Sequence, residues 1–405
     1  MKNFFQAFGP GPMIAAAFIG PGTVTVCSIA GAQYGPVLLW ALLFSTFATA
    51  VLQESSARLG LVTQKGLAAN IKSGIKNKSL RFASLMLVLS AVVVGASAYE
   101  SGNIRGGSLG ILVILGAEQS DASSQFTTIA VLCIATCAAL LLWVGRYAVL
   151  EKALVSLVVL MSIAFLSTAV MVVDSWWLVI RGLFVPKIPE GSTMLIVALI
   201  GTTIVPYNLF LHSDLVREKW STSADIGQAR RDALVSVAFG GLISMAIIVC
   251  AAAVPESSIQ SAGDLAQGLA IVFGDAAKFM VAIGLLAAGL TAAITAPIAA
   301  TLVLKGVLGW QGDLTSSAQR VVWISVLSIG TGFALLQINA IELIKFAQFA
   351  NGLVLPFAVA FLLFAVNQKV VLGNYVNSRY QNIMASVVLI TVTGLGLRAV
   401  FRVFS

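Results

Sequence analysis

Long apolar segments alternate with short charged or turn-forming clusters along the whole chain. A membrane-spanning helix consumes about 20 predominantly apolar residues, and eleven segments of this kind can be marked out. They lie near residues 12–33, 37–61, 81–116, 124–145, 147–173, 191–216, 226–254, 277–308, 316–337, 341–367 and 381–403. The pattern predicts an all-α integral membrane protein in which residues 1–405 form a single domain with 11 transmembrane helices.

The composition points the same way. Of the 405 residues, 59% are apolar and only 10% are charged. A soluble globule cannot enclose so much apolar surface in one core, and this length leaves no room for a soluble catalytic domain. The net charge of +8 comes without a basic run interleaved with aromatic residues. Membrane proteins gain Lys and Arg from topology alone, so we expect a lipid bilayer and no nucleic acid as partner.

The basic residues collect in alternate connections between the apolar segments, notably within residues 58–81 and 217–231. The opposite connections carry mainly acids, such as Glu118 and Asp121. Loops rich in Lys and Arg stay in the cytoplasm. We therefore predict a multi-pass protein of the cell membrane, the inner membrane in a bacterium, with the N-terminus cytoplasmic and the C-terminus outside.

Two of the apolar segments carry a break near their middle, at residues 20–23 (Gly-Pro-Gly-Thr) and 205–208 (Val-Pro-Tyr-Asn). Proline removes a backbone donor, and the freed groups survive in hydrocarbon only where they line a cavity. One such proline would be an ordinary kink of a channel, receptor or membrane enzyme, but paired breaks favour a secondary transporter. The breaks predict two inverted five-helix repeats, about 12–173 and about 191–367, with an extra helix at about 381–403.

Near these breaks the chain resembles the Nramp (natural resistance-associated macrophage protein) family of proton-coupled divalent-metal transporters. The resemblance is carried by residues 52–63 and 206–213 and covers nearly the whole chain. Further agreement comes from Leu150, Glu151, Gly289, Thr291, Thr295, Gln348 and residues 355–357. It implies a leucine-transporter-type fold with broken helices 1 and 6, around which access alternates between the two sides of the membrane.

The chain departs from this family where the family holds its metal. Members have an Asp-Pro-Gly-Asn break in the first helix and a Met-Pro-His break in the sixth. Here those Asp and Asn positions are Gly20 and Thr23, and those Met and His positions are Val205 and Tyr207. Because a soft or borderline divalent ion needs thiolate, thioether, imidazole or carboxylate ligands, we expect no metal ligands at this site. Cys27 lies nearby but is expected to be a packing residue.

The remaining polar groups at the breaks favour a different substrate. Two half-helix N-termini attract an anion, and glycines let a ligand approach the backbone closely. We therefore predict a small carboxylate-bearing solute, such as an amino acid, a cyclic amino acid or a short organic acid. The predicted substrate-binding residues are Gly20, Gly22, Thr23, Thr202, Val205, Tyr207, Asn208, Gln348 and Asn351.

The coupling machinery is also altered relative to the family. An acidic pair on the third helix is represented by Glu100 and Asn103. An acid deep in a span indicates a functional site, although a fixed salt bridge between Glu100 and Arg105 or another cation is equally open. His212 is a gating, packing or proton-relay residue, and Arg320 is a family-like arginine or a topology anchor. Coupling could use H⁺ through Glu100, or Na⁺ held by carbonyls of the first break with the hydroxyls of Thr291 and Thr295.

Three functions remain open. The first is an H⁺- or Na⁺-coupled symporter of a small organic solute. The alternative is a divalent metal transporter of Nramp type, for Mn²⁺, Fe²⁺ or a hydrated ion such as Mg²⁺ passing carbonyls and Glu100. The second alternative is a non-transporting membrane sensor. With a single histidine no Ser/His/Asp constellation can form, so we expect neither an enzyme nor a cofactor. The four cysteines lie in apolar stretches and are expected to be core thiols.

Overall fold

The computed structural model describes residues 10, 19–117, 123–144, 148–254, 259, 262–310, 315–336 and 338–404. Within these ranges all regular secondary structure is helical. The start of the first predicted span, residues 12–18, lies outside the described residues.

The helices are named here in chain order. The first half of the chain contains α1 (Pro21–Tyr34), α2 (Leu39–Thr63), α3 (Leu67–Gly74), α4 (Lys78–Ile114), α5 (Ser123–Val144), α6 (Ala148–Met171) and α7 (Trp176–Phe184). The second half contains α8 (Thr193–Thr203), α9 (Pro206–Lys219), α10 (Ile226–Ala252), α11 (Ala262–Leu265), α12 (Gln267–Phe273), α13 (Ala276–Leu308), α14 (Ser317–Ala334), α15 (Ala340–Val366), α16 (Lys369–Leu372) and α17 (Arg379–Phe404). Short 3₁₀ turns occupy Gly35–Leu38, Ser223–Asp225 and Gly373–Tyr375.

Each of the eleven predicted apolar segments has a helical counterpart. Nine helical stretches of the described chain are long and apolar enough to cross a membrane, with α1 and α2 forming one continuous stretch. The predicted ninth segment is α14, of 18 residues. The predicted sixth segment is split into α8 and α9, because its proline starts a new helix. The all-α membrane architecture is therefore confirmed, while the division into two repeats stays a prediction.

Helix α4 lies at the centre of the bundle and packs against α13, α14 and α15. Its glycines make this possible, because small residues let helix backbones approach closely. A Cβ atom added at Gly106 would lie 2.1 Å from Cβ of Pro21, and one at Gly110 would lie 2.3 Å from the carbonyl oxygen of Ala282. The start of α1 is thus held directly against α4, next to the first break.

Several short connecting helices were not predicted, because the hydropathy pattern marks only segments long enough to span. The clearest is α7, where Trp176, Trp177 and Phe184 are exposed. A short helix with an exposed aromatic face suits the interface between lipid and water.

The expectation that all four cysteines are core thiols is half wrong. Cys27 and Cys250 are buried, but Cys133 and Cys137 are exposed on α5. An apolar stretch in a membrane protein does not distinguish the two cases, because lipid chains accept a thiol as readily as a packed core does.

Candidate functional site

The sixth-helix break is present where the sequence predicts it. Helix α8 ends at Thr203 and α9 begins at Pro206, with Ile204 and Val205 between them outside either helix. Val205 is extended, with φ −78° and ψ 118°. Because proline stands first in α9, its missing N–H removes no helical hydrogen bond. The interruption leaves the C-terminus of one half-helix facing the N-terminus of the next.

The first-helix break has the same form on the side that the structure describes. Gly20 is extended, with φ −98° and ψ −177°, and α1 begins at Pro21. The carbonyl of Gly20 accepts hydrogen bonds from the N–H groups of Thr23 (3.1 Å) and Val24 (3.2 Å). Helices α1 and α9 therefore both start with proline, and both contain 14 residues.

Side chains from three helices meet at the two breaks. The hydroxyls of Thr23 on α1 and Thr202 on α8 lie 2.7 Å apart and are buried. Gln348 on α15 packs so closely on α1 that a Cβ added at Gly22 would lie 2.1 Å from its Nε2 atom. A Cβ added at Gly201 would lie 2.3 Å from the carbonyl oxygen of the same glutamine. The predicted residues of α1, α8 and α15 thus form one site.

Many polar atoms of this site have no protein partner within the described ranges. They are both amide atoms of Asn208, both amide atoms of Gln348, the Tyr207 hydroxyl and Nδ2 of Asn351. All four side chains are buried, with 1% exposure or less. Since buried polar groups are nearly always hydrogen-bonded, these atoms are available to water or to a substrate. We call Thr23, Thr202, Tyr207, Asn208 and Gln348 the break site.

Glu100 adjoins the break site, because its sequence neighbour Tyr99 contacts Tyr207. The ring of Tyr99 packs edge-on against the ring of Tyr207, with centroids 5.4 Å apart. Glu100 itself is fully buried against α14, where a Cβ added at Gly330 would lie 2.5 Å from its Cγ. Neither of its carboxyl oxygens has a hydrogen-bond partner in the described chain. The side-chain amide of Asn103, one turn further on α4, faces this carboxyl without a hydrogen bond of 3.5 Å or shorter.

The alternative in which Glu100 forms a salt bridge with Arg105 is wrong. The guanidinium of Arg105 instead donates to the carbonyl of Ile338 at 3.2 Å. No carboxylate lies within 4.0 Å of it among the described residues. Glu100 is therefore free to hold a proton or to face a cation.

The other predicted coupling or gating residues each have contacts outside the break site. His212 places Nδ1 2.7 Å from Oε1 of Gln53, which links α9 to α2. The guanidinium of Arg320 lies 4.0 Å from the ring centroid of Trp143, so this residue packs on α5. The hydroxyls of Thr291 and Thr295 donate to carbonyls of their own helix, Ala287 (2.8 Å) and Thr291 (2.9 Å).

The break site holds no soft metal ligands. Gly20 and Val205 have no side-chain donor atom, and among the described residues no three His, Cys, Asp or Glu side chains converge. Cys27 is fully buried within α1. The site offers neutral oxygen atoms from hydroxyls and amides, with one carboxylate, that of Glu100, close by.

A second polar group, which the sequence analysis did not identify, lies at the far end of α2. We call it the Glu54 cluster: Glu54, Arg58, Arg230, Asn377 and Gln381. The carboxylate of Glu54 pairs with Arg58 at 3.2 Å and with Arg230 of α10 at 2.7 Å. The spacing of Glu54 and Arg58, four residues apart on one helix, was the available signal.

Comparison with known proteins places these features in a family. The profile of the natural resistance-associated macrophage protein-like family, Nramp, matches residues 11–402. The metal transporter Nramp3 of Oryza sativa subsp. japonica is 30% identical over 93% of this chain and 70% of its own. The divalent metal cation transporter MntH of Verminephrobacter eiseniae is 24% identical over 98% of this chain and 89% of its own. The chain belongs to the Nramp family of membrane transporters.

Solved structures agree on the fold. A crystal structure of the manganese transporter of Eremococcus coleocola matches 97% of this chain and 86% of its own, with a TM-score of 0.76 at 21% identity. The structure of MhsT in complex with L-phenylalanine matches 97% of this chain and 98% of its own, with a TM-score of 0.62 at 14% identity. The leucine-transporter-type fold that the resemblance implied is confirmed.

Proposed function

We propose that this chain is a proton-coupled transporter of a hard divalent cation such as Mg²⁺, which it carries with part of the water shell in place. The relatives support a metal ion over the organic solute expected from the sequence, since both are named as metal transporters. The observation that carries the proposal is the set of unpartnered buried oxygen atoms at the break site, together with the unpaired carboxyl of Glu100.

The chemistry of this set suits a hard ion better than a soft one. Mg²⁺ takes oxygen ligands, keeps several waters, and is held by one or two carboxylates. The oxygen atoms of Asn208, Gln348 and Tyr207 can contact such waters. Mn²⁺ also accepts oxygen ligands, but the site lacks the nitrogen and sulfur ligands that would favour Mn²⁺ or Fe²⁺ over a hard ion such as Mg²⁺.

Glu100 is the proposed coupling group. Among the described residues no Lys, Arg or His forms an ion pair with its carboxyl, so no such charge holds the carboxyl ionised. The hydroxyls of Thr291 and Thr295 donate their protons to carbonyls of α13 and keep their oxygen lone pairs for a cation, so Na⁺ remains the alternative coupling ion. We further propose the cell-membrane orientation with the N-terminus inside, and rocking of the two repeats around the break site.

A second candidate function is an H⁺- or Na⁺-coupled carrier of a small carboxylate-bearing solute. It is favoured by one observation: α1 and α9 both begin at the site, and no charged side chain stands within the two breaks. Helix N-termini attract carboxylates.

Uptake into proteoliposomes tests both functions. Purified protein is assayed with an indicator for Mg²⁺, an indicator for Mn²⁺ and a panel of radiolabelled amino acids and short organic acids. We expect saturable Mg²⁺ uptake that Asn208→Ala with Gln348→Ala abolishes, and Mn²⁺ binding no tighter than millimolar by calorimetry. Gly20→Asp with Val205→Met should shift preference toward Mn²⁺, because it restores a carboxylate and a thioether. Accumulation of a carboxylate without any cation uptake would establish the second candidate instead.

A further inference from the structure

A polar cavity of about 190 Å³, which shares no lining residue with the break site, lies between α4, the start of α5 and the segment that joins α14 to α15. Its lining includes Arg105, Ser124, Thr127, Thr128 and Asn339. Neither transport proposal uses these residues. The cavity lies near one end of three helices, since α14 ends there while α5 and α15 begin, and Arg105 reaches it from about two and a half turns before the end of α4.

Arg105 is the unusual member of this lining. Its Nε atom is buried without a hydrogen-bond partner, and one terminal nitrogen donates to the carbonyl of Ile338. By contrast, Arg58 and Arg217 each meet a carboxylate within 3.2 Å. A charged side chain in a membrane span is expensive unless it meets a partner or water. The guanidinium at this cavity therefore has donor capacity that the described protein does not use.

The rest of the lining complements an anion. Ser124, Thr127 and Thr128 stand in the first two turns of α5, at the positive end of its helix dipole. A guanidinium offers a planar fork of N–H donors that matches two oxygen atoms of a phosphate or carboxylate. The Thr128 hydroxyl already donates to the carbonyl of Ser124 at 2.9 Å, so Thr127 is the hydroxyl beside the fork that we assign as donor to a further oxygen.

We propose that this cavity binds an oxyanion of the phosphate type, held by Arg105 and by the hydroxyl of Thr127 near the start of α5. The same chemistry can come from free inorganic phosphate or from the headgroup of an anionic phospholipid, since the cavity opens near the end of the membrane-spanning helices. The site is separate from substrate transport, and its existence does not depend on the identity of the transported substrate.

Two binding measurements on the purified full chain test the site and distinguish the two sources. Calorimetry in phospholipid-free detergent measures inorganic phosphate. Native mass spectrometry measures retention of phosphatidylglycerol against phosphatidylcholine. We expect the wild type to bind at least one probe, and Arg105→Gln to weaken that binding at least tenfold. Thr127→Val, which removes a hydroxyl and keeps the shape, should weaken it severalfold.

Arg181 provides the matched control, because it is an exposed arginine in the last turn of α7. Arg181→Gln removes the same charge and should leave binding unchanged. The proposal is overturned if the wild type binds neither probe, or if the two arginine variants weaken binding equally. If Arg105→Gln does not fold, Thr127→Val decides: unchanged binding in that variant overturns the site, and weakened binding supports it.

Discussion

The Glu54 cluster and the break site are both groups of buried polar side chains between helices. The side chains of the Glu54 cluster hydrogen-bond to one another, whereas amide groups of the break site have no partner in the described protein. In the Glu54 cluster the carboxylate meets two guanidiniums and the Gln381 amide, and Arg58 also reaches the side-chain oxygen of Asn377 at 2.5 Å. In the break site the amides of Asn208 and Gln348 meet no partner within the described protein. A satisfied cluster holds helices together, whereas an unsatisfied one keeps its hydrogen-bonding capacity for a ligand.

The largest effect is expected from breaking the satisfied cluster. Glu54→Gln leaves Arg58 buried without its counter-charge, which should cost about 3 kcal/mol of stability. Thermal unfolding in detergent measures this. The control is Glu342→Gln, which removes an ion pair with Lys345 whose side chains are 59% and 34% exposed. That exposed pair should contribute about 0.5 kcal/mol or less, and equal losses in the two variants would contradict the contrast.

Substitutions at two glycines next to Gln348 should distinguish an effect on folding from an effect on transport. At Gly201 an added Cβ meets backbone atoms of α15, with the nitrogen of Gly352 2.6 Å away. Gly201→Ala should therefore lower stability by roughly 1–3 kcal/mol. At Gly22 the added Cβ meets only the end of the Gln348 side chain, 2.1 Å away.

The end of the Gln348 side chain can turn away from an added Cβ. Gly22→Ala should therefore fold nearly normally while reducing uptake at least tenfold. Melting curves and proteoliposome uptake on both variants provide the comparison. Normal uptake by Gly22→Ala would place the substrate elsewhere.

Glu100→Gln tests whether Glu100, like the amides of the break site, lacks a structural partner. Glu100→Gln should change stability by less than about 1 kcal/mol, because no ion pair is broken. The same change should remove the pH dependence of uptake, because an amide keeps the shape but cannot titrate. A sharply lowered melting temperature, or an unchanged pH profile with normal stability, would contradict a coupling role.

A smaller effect than that of Glu54 or Gly201 is expected from the hydrogen bond between Thr23 of α1 and Thr202 of α8. Thr23→Val keeps the shape of the side chain and removes the hydroxyl that lies 2.7 Å from Thr202. One buried hydrogen bond contributes about 1 kcal/mol. We expect a melting shift of that order and weaker substrate binding. The control for a lost threonine hydroxyl is Thr301→Val, outside the break site, whose hydroxyl makes one buried hydrogen bond, to the carbonyl of Pro297.

The fold was largely predictable because its determinants are local. Apolar runs of spanning length and the prolines at 21 and 206 need no tertiary information, and α1 and α9 start at these two residues. The convergence of Thr23, Thr202 and Gln348 was predicted through the family resemblance, and the structure brings them together.

Which polar groups find partners was not predictable. Arg105 stands five positions after Glu100, which turns the two residues to different sides of α4, but the carbonyl that Arg105 meets instead depends on where the segment joining α14 to α15 lies. The exposure of Cys133 was equally inaccessible, because lipid-facing and core-facing positions have similar apolar character. Hydropathy therefore locates helices but not the faces that they turn toward each other.

The glycine contacts of α4 also bear on how the protein is made. Gly107 and Gly110 pack on Gly289 and on Ala282 of α13, which are synthesised much later than α4. Until then α4 carries Glu100 and Arg105 without its final neighbours, and each such residue at a helix centre opposes insertion by about 3 kcal/mol. Chains that stop before α13 should therefore be recognised by membrane quality control and degraded faster than the full chain, even though every earlier span has already been translated.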